Sequence, residues 1–169
     1  MAATLALGWA VGHGSTTLDS RFSRDIHGIL GEQPRWLLAF TSGWLVLVVL
    51  LGCLVVTLRR RQWALAGAVL VCPIVATAAA EALKRIFDRH NGGYLEYPSG
   101  HTAQLVAVLG MMVVVAGVRV WAVTLATVVS ALGMLGLVAC GYHFLTDTIG
   151  AAILATALVG GTARLTSAL

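Results

Sequence analysis

Charge is scarce in this sequence. Of its 169 residues only 11% are charged, against 59% that are apolar. A soluble domain is roughly a quarter charged, so the composition excludes an ordinary water-soluble globule, and a mean hydropathy of +0.90 agrees. At about 20 residues per span, the length admits at most about six membrane helices with short links. There is then no room for a separate soluble catalytic domain, and any activity must sit in the bundle or its loops. The net charge of +4 is small and clustered, unlike the stripe that tracks nucleic-acid phosphates. The three cysteines, Cys53, Cys72 and Cys140, lie inside apolar runs and read as small packed hydrophobes rather than a disulfide framework. The opening MAATLALGWAVG has no charged n-region, so no secretory signal is expected. Lysine is nearly missing too: Lys84 stands beside ten arginines, a bias expected of a GC-rich bacterial genome.

What is present is a series of apolar runs. Residues 1–12 are apolar but short for a span, and fit a truncated or tilted first helix or an interfacial one. The polar stretch from His13 to Arg35 holds Asp19, Arg21, Arg24, Asp25 and Glu32. Phe22, Ile26, Ile29 and Leu30 would share one face of an amphipathic surface helix there. Spans are expected from Trp36 to Leu58, from Trp63 to about Leu83 with a kink at Pro73, from Thr102 to Gly117, from Val120 to Tyr142, and from Thr148 to Ala163. The expected fold class is therefore all-α: one polytopic membrane helix bundle of about five to six transmembrane helices over 1–169. Residues 1–35 would form the short first helix and interfacial segment, and 36–169 the core. The Arg59-Arg60-Arg61 cluster in a very short loop places that end in the cytoplasm by the positive-inside rule. The charged loop after Lys84 would then face outward.

Ionisable groups near span ends are costly and tend to mark sites. Alternating spans bring four of them to one end: Lys84 with Arg85 and Arg89, Ser99-Gly100-His101, His143, and Asp147. His143 and Asp147 are four apart, which on a helix lets the carboxylate hold one imidazole nitrogen and free the other as nucleophile, base or metal ligand. Ser99 is a natural N-cap, and Gly100 lets a ligand approach the amides of a helix N-terminus that favours phosphate. Lys84 and Arg89 suit a helix C-terminus, and Arg85 is placed to pair with Glu81. No carboxylate pair or Cys/His set has convincing metal spacing, so neither metal nor other cofactor is expected.

Lys84 followed by RIFDR, then YPSGHT, then GYHFLTDTIG resembles the three signature blocks of the type 2 phosphatidic acid phosphatase superfamily. The likeness covers roughly Trp36 to Ala163. It implies a membrane phosphatase whose helical core is shared with vanadium haloperoxidases. It also implies His143 as nucleophile, Asp147 as its orienting partner, His101 as acid for the leaving group, and phosphate contacts from Lys84, Ser99 and Gly100. Two expected arginines are absent. The first block carries Asn91-Gly92 where the family has Arg-Pro, and the third carries Gly136-Leu137 where it has Ser-Arg. Arg89 is the candidate to take over one of these contacts.

The activity implied is hydrolysis of a lipid phosphate monoester or pyrophosphate, polyprenyl or glycerolipid, through a phosphohistidine. The partners would be that amphiphile and membrane lipids, with no nucleic acid, and the place a bacterial plasma membrane with the site on the extracytoplasmic side. Tyr94, Leu95 and Tyr97 line the entrance or anchor the interface. A catalytically weak lipid-phosphate binder or carrier is the alternative, and a small transporter or proton relay a third reading.

Overall fold

Uncharged runs of bilayer length satisfy their backbone polar groups by coiling. The computed structural model of this protein describes residues 2–31, 33–91 and 93–167, and its apolar runs are helical. In order they are α1 (Ala2–Val11), α2 (Thr17–Leu30), a 3-10 segment (Arg35–Thr41), α3 (Gly43–Arg59) and α4 (Trp63–Phe87). A hairpin of β1 (His90–Asn91) and β2 (Tyr94–Leu95) follows, then α5 (Gly100–Val115), α6 (Val120–Ala139) and α7 (Leu145–Ser167). Four stretches, Arg35–Arg59, Trp63–Phe87, Val120–Ala139 and Leu145–Ser167, are long and apolar enough to cross a membrane. The chain is thus an all-helical membrane protein. Helices α1 and α5 are apolar but shorter; the 16 residues of α5 rise about 24 Å, less than a hydrocarbon core of about 30 Å.

The centre of the bundle is made of small side chains. Ala76 and Ala80 of α4, Ala103 and Ala107 of α5, and Ala151 and Ala155 of α7 are all fully buried. Each pair is four residues apart, so each helix presents a small-residue stripe that lets its neighbours approach closely, the packing favoured where lipid offers no hydrophobic drive. The large residues point the other way. Val48, Leu51, Val55, Ile74, Trp121 and Val128 are exposed, an apolar surface suited to acyl chains and adverse in water.

Several boundaries differ from expectation. The run expected as one span from Trp36 breaks at Ser42, whose hydroxyl oxygen accepts from the Leu45 amide and caps α3. The 3-10 segment before it lies on α6, where a Cβ at Gly136 would come within 2.7 Å of Leu37 and one at Gly133 within 3.0 Å of Thr41. Helix α6 ends at Ala139, three residues short of Tyr142, and α7 begins at Leu145, ahead of Thr148. The N-terminal segment is packed rather than loosely interfacial. Helix α1 rests on α7, and a Cβ at Gly8 would lie 2.5 Å from the Phe87 ring and 2.7 Å from Tyr97. On α2, of the four residues expected on one face, Ile26 is buried and Ile29 is exposed. Glu32 and Gly92 lie outside the described residues.

The two ends of the bundle are chemically distinct. One end gathers Arg59, Arg60, Arg61, Arg119 and Arg164 at the termini of α3, α6 and α7, and Arg60 donates to the Val115 carbonyl at 3.0 Å. The opposite end receives the C-terminus of α4, the hairpin, the N-terminus of α5 and the α6–α7 turn.

Candidate functional site

Helix α4 stops at Asp88, which adopts a left-handed conformation (φ 48°) and donates its amide to the Lys84 carbonyl. The hairpin then doubles back, pairing His90 with Leu95 and Asn91 with Tyr94, and the Glu96 amide donates to Arg89 O at 2.8 Å. This return delivers Glu96 and the PSGH turn to the head of α5. Ser99 caps α5, its Oγ accepting from the Thr102 amide, while its own amide donates to Asp147 O at 3.2 Å. The starts of α5 and α7 are thereby tied together.

The three sequence blocks meet at a cavity of about 850 Å³ whose walls include Lys84, His101 and His143. The His101 and His143 rings lie 6.3 Å apart between centroids. Lys84 Nζ is 2.8 Å from Glu81 Oε1, so Lys84 rather than Arg85 takes that carboxylate, and Arg85 is exposed. A Cβ at Gly100 would come within 2.8 Å of the same Glu81 oxygen. A carboxylate therefore already sits between the lysine and the first turn of α5, where cation and helix N-terminus both favour an anion. Asn91 and Leu137, the positions lacking arginine, line this cavity too. Its only lysine or arginine, among the described residues, is Lys84.

Several expected roles need correction. Arg89 does not face the cavity. It is fully buried, and its guanidinium has no donor to spare. Nε and Nη2 donate to Gly14 O, Nη2 also to Asp19 Oδ2 at 2.7 Å, and Nη1 to Thr146 Oγ1 and Asp147 Oδ1 at 2.6 and 2.7 Å. Since arginine has five N–H donors, this set exhausts it, and the Phe144 ring packs 4.7 Å from its central carbon. Asp147 does not share a helix face with His143 either, because α7 begins only at Leu145. Its carboxylate accepts from Arg89 and, at 2.9 Å, from the Phe144 amide. Ser99 and Gly100 are buried and do not line the cavity. Tyr97, placed by sequence at an entrance or interface, is fully buried. It is wedged against Gly8 and Gly150, donates to Thr4 O at 2.6 Å, and burial pushes its phenol up to about 12. Tyr94 is exposed and does line the cavity.

Glu96 is the residue that sequence reasoning missed. Its Oε2 is in direct contact with His143 Nδ1; both atoms are buried and, among the described residues, neither has another hydrogen-bond partner. A lone acid between Leu95 and Tyr97 in a loop carries no spacing signal, so only the hairpin's return reveals it. Asp19 was missed likewise. Burial alone would raise its carboxyl, but the Thr146 amide, the Thr16 amide and hydroxyl, and Arg89 outweigh that and hold it below the ordinary 3.8.

Potential ligand atoms of Glu96, His143 and Asp147 lie within 4.8 Å of one another. Both Asp147 oxygens are already accepting, and the Arg89 cation 2.7 Å away opposes a second positive charge. The donor set therefore fits a metal ion poorly.

What fold and site define together is a multi-helix membrane protein with a polar, histidine-bearing cavity at one end. Comparison with protein-family models, with curated proteins and with solved structures found no match for this chain.

Proposed function

We propose that this protein is a lipid phosphatase resembling the type 2 phosphatidic acid phosphatases, acting through a phosphohistidine at His143. The observation that carries the reading is the convergence of Lys84, His101 and His143, from three separate blocks, on one cavity. With Glu96 against Nδ1, the Nε2 of His143 is the nitrogen left to attack phosphorus. The P–N bond forms as the bond to the leaving oxygen breaks, and His101 delivers the proton that oxygen needs. Water then attacks the phosphohistidine, giving a proton to His101 and releasing phosphate. Lys84 stabilises charge on the non-bridging oxygens once Glu81 yields its place. The surroundings support a lipid substrate. An apolar groove of about 720 Å³ between α5, α6 and α7, lined by Leu109, Val113, Leu135 and Leu145 among others, suits the tail of a polyprenyl or glycerolipid phosphate.

The deciding measurement is phosphate release from a panel of lipid phosphates and diphosphates by purified protein, beside His143→Ala. Turnover that survives in the variant removes His143 as nucleophile. A second reading, a lipid-phosphate binder or carrier with weak catalysis, draws on Lys84 being the single lysine or arginine on the cavity wall among the described residues. Binding of the same lipids without release would select it. The arginine-rich end is proposed to be cytoplasmic and the cavity outward-facing, in a bacterial plasma membrane. In a cysteine-free background, His90→Cys should react with an impermeant thiol reagent on intact cells; labelling only after lysis reverses the orientation.

A further inference from the structure

A second cavity, of about 570 Å³, reaches His143 between α2 and the α6–α7 turn. Asn91, Gly141 and His143 belong to both cavities, so the two adjoin at His143. The α2 wall of the second cavity carries Ser20, Ser23, Arg24 and His27. Arg24 makes no ion pair or side-chain hydrogen bond among the described residues. His27 Nδ1 is held by the Ser23 carbonyl at 2.6 Å, which leaves Nε2 unengaged. The one acid on this wall, Asp19, is already neutralised by Arg89 at 2.7 Å. The same helix places Phe22 in the apolar groove. One turn of α2 therefore borders both an apolar channel and a cationic recess that opens on His143.

We infer that Arg24 and His27 of α2 form a phosphoryl-binding subsite beside His143. This inference rests on the proposed function for its substrate but not for its anion binding. The subsite compensates for the cations missing at Asn91 and Leu137. The N-terminal segment, which carries none of the three signature blocks, is thereby part of the site. A guanidinium suits a phosphoryl group because it donates two parallel hydrogen bonds to adjacent oxygens. His27, one helical turn along the same face, donates from Nε2 as well when its imidazole is doubly protonated, since Nδ1–H is already given to the Ser23 carbonyl.

The test titrates inorganic pyrophosphate onto the full chain in phospholipid-free detergent, following ³¹P and imidazole NMR signals, alongside turnover of a lipid phosphate. Wild type should bind pyrophosphate with shifts at His27 and His143. Arg24→Gln should weaken binding about tenfold or more, the worth of a charged hydrogen bond, and raise KM far more than it lowers kcat. Arg24→Lys should restore part of the affinity, and Arg21→Gln, on the same helix but outside the cavity, should change neither. Circular dichroism of each variant separates lost binding from lost fold. Arg24→Gln that folds and binds as wild type overturns the subsite, as does wild type that binds no pyrophosphate. Pyrophosphate displaced by phosphatidylglycerol but not by the lipid phosphate would mark a bulk headgroup anchor, and would also overturn it. Wild type that binds pyrophosphate through Arg24 yet hydrolyses no lipid phosphate leaves the subsite standing and removes the phosphatase reading.

Discussion

Two charged clusters lie at the same end of this bundle, and they are built on opposite plans. Around Arg89 every donor is matched: Asp19, Thr146, Asp147 and the Gly14 carbonyl close the network, and both carboxylates and the guanidinium are almost wholly buried. Around His143 the matching is incomplete. Among the described residues, His143 Nδ1 and Glu96 Oε2 have only each other, Lys84 has one exposed acid at 2.8 Å, and His101 opens to the cavity. The closed cluster holds α2, the hairpin and α7 together, while the open one has valence left for a ligand. A buried network with no spare donor is scaffolding even when its residues look catalytic in sequence.

This contrast can be broken experimentally, and the largest effect should come from the open cluster. If the phosphatase reading holds, His143→Gln, which keeps an amide donor beside the buried Glu96, should lower phosphate release at least about 10⁴-fold with little change in detergent melting temperature; an active variant ends the nucleophile assignment. Arg89→Met should do the reverse. Leaving Asp19 and Asp147 unpaired in the interior should cost about 3–5 kcal/mol, read as a lower melting temperature, and an unchanged melt would show that the network is not structural. Between these lies Glu96→Gln, which keeps the shape but removes the charge held against His143. Turnover should fall about 10- to 100-fold, the scale of one charged hydrogen bond, with stability nearly constant. Equal loss of both would place Glu96 in the scaffold instead.

Smaller effects sharpen the boundary of the closed cluster. Gly150→Ala sets a methyl 2.5 Å from the Tyr97 ring and should destabilise by about 1–3 kcal/mol through overpacking. A variant as stable as wild type would mean that the α1–Tyr97–α7 contact is looser than described. The smallest effect is in pH. The Asp19 carboxyl is held below 3.8 in the fold, so its stabilising contribution is complete above that value and declines as pH falls through the lower folded value. Asp19→Asn should flatten the acid limb of the melting curve below about pH 4, and identical limbs would exclude Asp19 as a source of acid sensitivity.

How much of this could be read beforehand varies by residue. Pro98-Ser99-Gly100-His101 before an apolar run named the head of α5 correctly, because capping is local chemistry. Lys84, His101 and His143 could be brought together on topology alone, since alternating helices must return to the same end. Arg89 misled because a cation among signature residues gives no hint of how many partners it will find. His143 and Asp147 misled because four-residue spacing implies a shared face only if the helix includes both, and here His143 sits in the turn from Cys140 to Phe144 while only Asp147 is on α7. The small-residue stripes of α4, α5 and α7 were present in the sequence but carry meaning only once the helices are known to be neighbours.

The sequence by itself determined the class and the ends. Scarce charge and long apolar runs demand helices in lipid, since no other open structure satisfies the backbone there, and the placement of polar residues chooses which end bears a site. Tertiary structure decided which polar residues are free to act. That depends on partners up to 127 positions away, such as Asp19 reaching the Thr146 amide, and no local pattern encodes a pairing of that range. The scarcity of charge makes that decision sharper. In a chain with so few ionisable groups, each one that the fold neutralises in the interior leaves fewer to face a ligand, and those that remain are the ones to test.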